Sequence, residues 1–252
     1  MRVSSLILYQ GPSELDGAPI VVIATGIANR SKNSKTGGMI QTHIIRADML
    51  PMQAIWSGAD ASICGDCIHR GDGTGKGRTC YVKVFQGTTV VYKTFARGGY
   101  PVATESDWQL FKDRGVRFGT YGDPAAAPIE LWQRLQDLAS FTTGYTHQWK
   151  RISPDWAKLC MASADTEADA INAQRVGYRT FRVTLDGADP LKNEVLCPAS
   201  EEAGRKLQCE QCKACNGANG RRGSIYIPMH GPNSAAKGQS ELLSRITVTV
   251  VN

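Results

Sequence analysis

Cys209-Glu-Gln-Cys212-Lys-Ala-Cys215 is a C-x2-C-x2-C run, and no other feature constrains the chain as much. Seven residues carry three thiols on turns short enough to converge on one inorganic body. Cys197, followed by Pro198, stands twelve residues ahead of the run and supplies a fourth thiol. Four thiolates around one triple suit a [4Fe–4S] cubane, whose corners the turn backbone can reach in succession. Zinc is the alternative, although its four-cysteine sites are commonly built from two separated C-x2-C knuckles.

The remaining cysteines are Cys64, Cys67, Cys80 and Cys160. Cys64-Gly-Asp-Cys67-Ile-His69 is followed by a glycine-rich stretch over 71–77 and then by Cys80. Glycines at alternate positions let that loop fold closely over a cluster, but it lacks the Gly-Lys-Ser/Thr ending of a phosphate-binding loop. Three thiolates leave a fourth corner, which Cys160, His69 or a substrate could fill. Cys160 lies at the start of an apolar strand, where a lone cysteine is commonly a small core residue. The spacing therefore predicts eight metal-binding cysteines in two sets of four, with Cys160 the least constrained.

Composition narrows the class. A chain of 252 residues with 42% hydrophobic and 21% charged residues suits one folded domain with a real core, not a disordered or fibrous chain. The longest apolar stretches, 20–24 and 246–251, are strand-sized, which excludes a membrane-spanning helix from this reading. The apolar patch over 6–9 is too short for a secretory leader, so the expected location is the cytoplasm, with thiols reduced and available to metal.

The net charge of +6 is unevenly placed: residues 26–46 sum to +4, 68–97 to +5 and the rest to −3. Such local excess suits a small anionic ligand or nucleic acid, or simply a solvated face. A [4Fe–4S]2+ core on four thiolates carries −2, so two clusters would bring the total to about +2.

The first hundred residues read as β-rich, with strands over 20–25, 39–46, 81–85 and 89–95 and a polar basic loop over 29–38. From 104 onward helices and strands alternate. Helices are expected from Thr104, over 128–139, after Ser153-Pro154 and from Thr166. Strands are expected over 116–122, 143–149, 160–164, 179–185, 224–229 and 245–251. The fold class is α/β in a single domain, 1–252. A β-rich part over 1–100 precedes βα units that form a parallel sheet or partial (β/α) barrel and carry the cluster loop at 197–215.

Sites in such folds lie at the carboxyl ends of parallel strands. Those ends carry Thr120, Tyr121, Asp123, His147, Gln148, Ser163, Asp165, Arg182, Thr184 and His230. Arg182 alternates with Phe181 and Val183 and is expected to face a barrel interior and clamp an anion. Asp123 and Asp165 read first as caps of the helices that follow. The substrate-binding candidates are Lys35, Tyr121, His147, Arg182 and His230. No Ser/His/Asp or paired-carboxylate arrangement emerges.

Gly11-Pro-Ser-Glu-Leu-Asp-Gly17, Ser62-Ile-Cys-Gly-Asp-Cys-Ile-His-Arg70, Cys160-Met-Ala-Ser-Ala-Asp165 and Cys197-Pro-Ala-Ser200 resemble segments of an uncharacterised cysteine-rich family encoded by tailed bacteriophages. That resemblance implies a phage origin, a host cytoplasm and cluster-binding cysteines, with no activity attached. A three-cysteine group beside a βα array is also similar to the radical S-adenosylmethionine enzymes. Their C-x3-C-x2-C triad is here replaced by C-x2-C-x12-C. It implies an open iron and S-adenosylmethionine as a cofactor.

Two functions stand at this point. One is a redox or radical catalyst on a small anionic or nucleotide-like substrate, supplied by an electron donor. The other is a cluster- or zinc-stabilised protein that binds nucleic acid or another partner without catalysis.

Overall fold

The computed structural model describes residues 3–184, 189–204, 207–218 and 223–229. Two five-stranded sheets form the frame. In the first, β1 (Ser5–Pro12), β2 (Pro19–Thr25) and β3 (Ile40–Arg46) are antiparallel, and β4 (Gly115–Tyr121) and β5 (Phe141–Thr143) continue in parallel, in the order β1-β2-β3-β4-β5. The second holds β6 (Tyr145–Thr146), β7 (Met161–Ala164), β8 (Thr180–Thr184), β9 (Glu194–Leu196) and β10 (Ser224–Pro228). It is parallel throughout, in the order β6-β7-β8-β10-β9. This is the expected α/β class: a β-rich N-terminal sheet followed by a parallel sheet with helices.

One residue joins the sheets. Gly144 lies between β5 and β6, accepts a hydrogen bond from Met161 N–H at 2.9 Å and donates to the Cys215 carbonyl at 3.3 Å. A Cβ at Gly144 would stand 2.8 Å from Cys160 Sγ and 3.1 Å from Phe118 Cβ, so only glycine lets the two sheets approach this closely.

Burial explains the strands. Ile20 to Ala24 on β2 are fully buried, as β-branched residues on a central strand with both faces covered should be. The connection from β3 to β4 carries α1 (Pro51–Trp56), α2 (Ala61–Cys64) and α3 (Gly87–Ala96). α4 (Ile129–Leu138) links β4 to β5 and buries Trp132 and Leu135; α5 (Glu167–Arg175) links β7 to β8; α6 (Cys209–Cys212) lies between β9 and β10. Among the described residues no helix is long and apolar enough to cross a membrane.

Two expected strands are absent. Residues 81–83 are irregular and 84–86 form a turn, and 89–95 belong to α3, which buries Thr88 and Val91 three residues apart. The run of β-branched residues suggested a strand, but the buried face repeats at helical spacing, and tertiary packing decided between the two. The reading also misses β1, which pairs with β2 through an irregularity between Ile7 and Tyr9. The helices expected after Thr104 and Ser153 are 3-10 turns, Glu105–Phe111 and Pro154–Lys158. The strand expected over 245–251 lies outside the described residues.

His43 on β3 is nearly buried beside Thr25, with Nε2 3.4 Å from Oγ1, and its Nδ1 has no partner. Burial, reinforced by the Arg117 charge, lowers its pKa to about 4. The folded protein therefore holds this ring neutral, whereas the unfolded chain protonates it near pH 6.5. Its contribution is fully present above pH 6.5 and is lost as the pH falls towards 4. Urea denaturation of the wild type and His43→Gln across that window should show the wild type losing roughly 3 kcal/mol more than the variant.

Candidate functional site

Seven of the eight cysteines line one cavity of about 220 Å³. It opens where parallel strands end: Tyr121 to Asp123 after β4, His147 after β6, Asp165 after β7, Val183 on β8 and Met229 after β10 all line it. Two cysteine-bearing loops close over these ends.

Cys64, Cys67 and Cys80 come from the end of α2 and the connection after it. Gly65 takes φ 58°, and any Cβ there would run into Gln148, whose amide donates to the Cys64 carbonyl at 3.3 Å and to Asp66 at 2.9 Å. That turn presents Cys67. The His69 carbonyl then accepts the Thr79 and Cys80 N–H groups at 3.2 and 3.1 Å, which brings Cys80 back across the glycine loop.

Cys197, Cys209, Cys212 and Cys215 come from the second loop. Cys197 N–H donates to the Tyr226 carbonyl on β10 at 2.9 Å, and Cys209 N–H to the Lys35 carbonyl at 2.7 Å. α6 separates Cys209 from Cys212 by one turn, and the left-handed Lys213, at φ 54°, turns the chain so that Cys215 follows. Glu210 accepts from Gly38 N–H at 2.7 Å, which pins the 30–38 loop against this set.

Burial works against charge at these thiols. It raises Cys64, Cys80, Cys197 and Cys209, and pushes Cys215 up to about 12. A thiol raised in this way stays protonated at neutral pH unless a bound cation replaces the proton. Cations stand ready on both sides: Arg117 and Lys35 act on the Cys197–Cys215 set, Arg70 on Cys64 and Arg78 on Cys80. Arg117 is buried, donates to Tyr81 Oη at 2.7 Å and lies 5.8 Å from the Tyr145 ring centroid.

The cavity also holds polar atoms with nothing to bond. Arg117 Nε, Tyr121 Oη and Thr143 Oγ1 are buried without a partner, and all three residues line the wall. Buried polar groups in folded proteins are nearly always satisfied, which makes three unpaired atoms on one wall unusual.

Opposite the second cysteine set, two imidazoles and a carboxylate converge. His69 Nε2 is 3.3 Å and His147 Nε2 3.4 Å from Asp165 Oδ1, and Cys67 Sγ is 3.7 Å from His147 Nε2. Burial opposes the charge on His147, yet Cys67 and Asp165 hold its pKa well above the usual value. At Asp165 burial likewise opposes charge, but His147 and His69 keep the carboxyl well below the usual range.

Three of the five substrate-binding candidates read from the sequence reach the cavity: Lys35, Tyr121 and His147. Arg182 does not. On β8 the side chains of Phe181 and Val183 face the cavity, and period-two alternation puts Arg182 on the other side. There its guanidinium is paired with Glu194 at 2.6 Å and donates to the Asp189 carbonyl at 3.0 Å. Its chemistry is structural. His230 lies outside the described residues.

Of the other strand-end residues, Thr120, Asp123, Ser163 and Asp165 line the cavity, whereas Gln148 and Thr184 do not. Asp123 caps the following turn by accepting from Ala125 N–H at 3.0 Å and also accepts from His147 N–H at 2.8 Å. Asp165 is not the cap of α5; Thr166 is, accepting from Asp169 N–H at 3.0 Å.

Cys160 stands apart. It is fully buried in the main core against Gly144 and Phe118, does not line the cavity, and feels Asp123 and no other cysteine. Sequence reasoning missed Arg117 and Thr143, whose only signal was their place on predicted strands. No protein-family model, curated protein or solved structure matches the chain.

Glu194 is fully buried beside Arg182, so removing either charge strands the other in the interior. Glu194→Gln and Arg182→Met should each destabilise the protein by about 3–5 kcal/mol in urea denaturation. The double variant should recover much of that loss, as an interaction internal to the pair requires.

Proposed function

We propose that this chain is an iron–sulfur protein whose clusters face a common substrate cavity. Cys197, Cys209, Cys212 and Cys215 hold one [4Fe–4S] cluster. Cys64, Cys67 and Cys80 would hold a second, leaving one iron without a cysteine ligand. The observation that carries this reading is the convergence of seven cysteines, from loops more than a hundred residues apart in sequence, on one cavity at the strand ends.

One further observation supports it. The charges also agree: a four-thiolate cluster of net −2 faces Arg117 and Lys35 at the second set.

The orphaned Arg117 Nε, Tyr121 Oη and Thr143 Oγ1 supply donors for a small anionic or nucleotide-like substrate. When present, the clusters supply electrons or a Lewis-acid iron; the chain's own residues orient the substrate and exclude water. This reading puts the protein in a reducing compartment, the cytoplasm of a host cell if the chain is of phage origin, with an external electron donor. S-adenosylmethionine is a candidate for the open iron.

Iron and acid-labile sulfide analysis after anaerobic purification tests the proposal. About eight of each per chain is expected, falling to about four in Cys209→Ser and in Cys67→Ser and staying near eight in Cys160→Ala. Zinc without sulfide would overturn the redox reading and leave a metal-stapled binding protein.

A further inference from the structure

The same cavity offers a second kind of metal chemistry. We infer that His69 Nε2, His147 Nε2 and Asp165 Oδ1 form a mononuclear site for a divalent transition ion, zinc or ferrous iron, bordering the first cysteine set, with Cys67 Sγ 3.7 Å from His147 Nε2. It goes beyond the cluster proposal and stands without it.

The distances carry the inference. A charge-assisted hydrogen bond from an imidazolium to a carboxylate spans about 2.7–2.9 Å. The observed separations to Asp165 Oδ1 are 3.3 and 3.4 Å, too long for two such bonds. Ligands held at about 2.0–2.1 Å around one tetrahedral ion stand about 3.3 Å from each other. The three ligand atoms all lie within 4.8 Å of one another, the one such group of three among the described residues. The two rings meet edge to face, with centroids 5.7 Å apart and planes at 72°, so their Nε2 atoms converge without stacking.

The outer bonds are those a metal site needs. Thr79 Oγ1 is 2.8 Å from His69 Nδ1, which leaves Nε2 to point at Asp165. His147 follows β6, with its N–H fixed on Asp123 Oδ2, and Asp165 follows β7, so both ligands stand on strand ends. Outer partners of this kind set the ring orientation that a metal demands. Two imidazoles and one carboxylate leave coordination positions open, as in mononuclear iron(II) oxygenases and catalytic zinc sites. All three residues line the cavity, so the open positions face the same space as Tyr121 and the thiols. An ion there would take water or an oxygen atom of the substrate and polarise it.

Cobalt(II) is the probe. Anaerobically purified protein with its iron content intact, stripped of loose metal by mild chelation, should take up one Co2+ per chain. The expected spectrum has weak visible bands and lacks the intense near-ultraviolet band of a cobalt thiolate. Zn2+ should displace it, and Fe2+ only in excess. Asp165→Asn and His147→Gln should weaken binding at least a hundredfold, and Thr79→Val by about tenfold, consistent with loss of an outer partner.

Iron and sulfide content should be unchanged in all three variants. No stoichiometric Co2+ uptake by the wild type, a spectrum dominated by thiolate, or wild-type affinity in Asp165→Asn and His147→Gln would each overturn the site. Iron and sulfide analysis reports on the clusters separately, so failure of either proposal leaves the other measurable.

Discussion

Thiols withdrawn from water are the constraint around which this structure is organised. Burial first, and then the neighbouring thiols, favour the protonated form of Cys64, Cys80, Cys209 and Cys215, since a thiolate in an apolar wall loses its hydration. Each set is nevertheless placed beside fixed cations: Arg117 and Lys35 on one side, Arg70 and Arg78 on the other. Holding guanidinium groups in a protein interior is expensive unless negative charge answers them. Arg70 has Asp60 at 2.5 Å for that purpose. Among the described residues no carboxylate pairs with Arg117, which has two tyrosines and the thiols of Cys209 and Cys215 around it. The buried cation and the buried thiols make sense together, as the two halves of the charge balance that the proposed cluster requires.

The sheets explain why the sets can meet. β4, β6, β7 and β10 bring their ends to the same rim, and β8 adds Phe181 and Val183. The loop after β9 adds Cys197 to Cys215 from the far edge, and the connection after β3 adds Cys64 to Cys80 from the near edge. Gly144 is the joint between the two sheets. Without a Cβ it lets β5 and β6 pass against Cys160 and Phe118, and its N–H holds Cys215. Cys160 thereby serves as packing in the main core.

The C-x2-C-x2-C run and the alternation after Thr104 are local signals, and both sets of thiols and most strands of the parallel sheet were legible from them. Facing was less so. Alternation along β8 established that Arg182 opposes Phe181 and Val183, but a single strand does not say which face is inside, and Glu194 is the residue that answers. The stretch over 89–95 carries β-branched residues on a helix because its burial is set by distant contacts. The His69, His147 and Asp165 convergence was not legible at all. Each residue was singled out for a different reason, and their meeting depends on the parallel register of β6 and β7 and on the return of the glycine loop.

The cavity wall therefore divides by ligand chemistry. Soft sulfur donors occupy the loops that close over the strands, while His147 and Asp165 sit on strand ends and His69 joins them from the turn after Cys67. The division has a mechanical logic. A cluster tolerates donors on short turns, because it imposes its own geometry on four flexible thiols. A mononuclear ion with open positions gains its reactivity from ligands that do not follow it, and those belong on a sheet. Tyr121 and Thr143, on strands of the first sheet, leave their hydroxyls unpaired in the space between these regions. A ligand satisfying them would be held within reach of both, so the common rim of the parallel strands would unite the two proposed metal chemistries with a single substrate position.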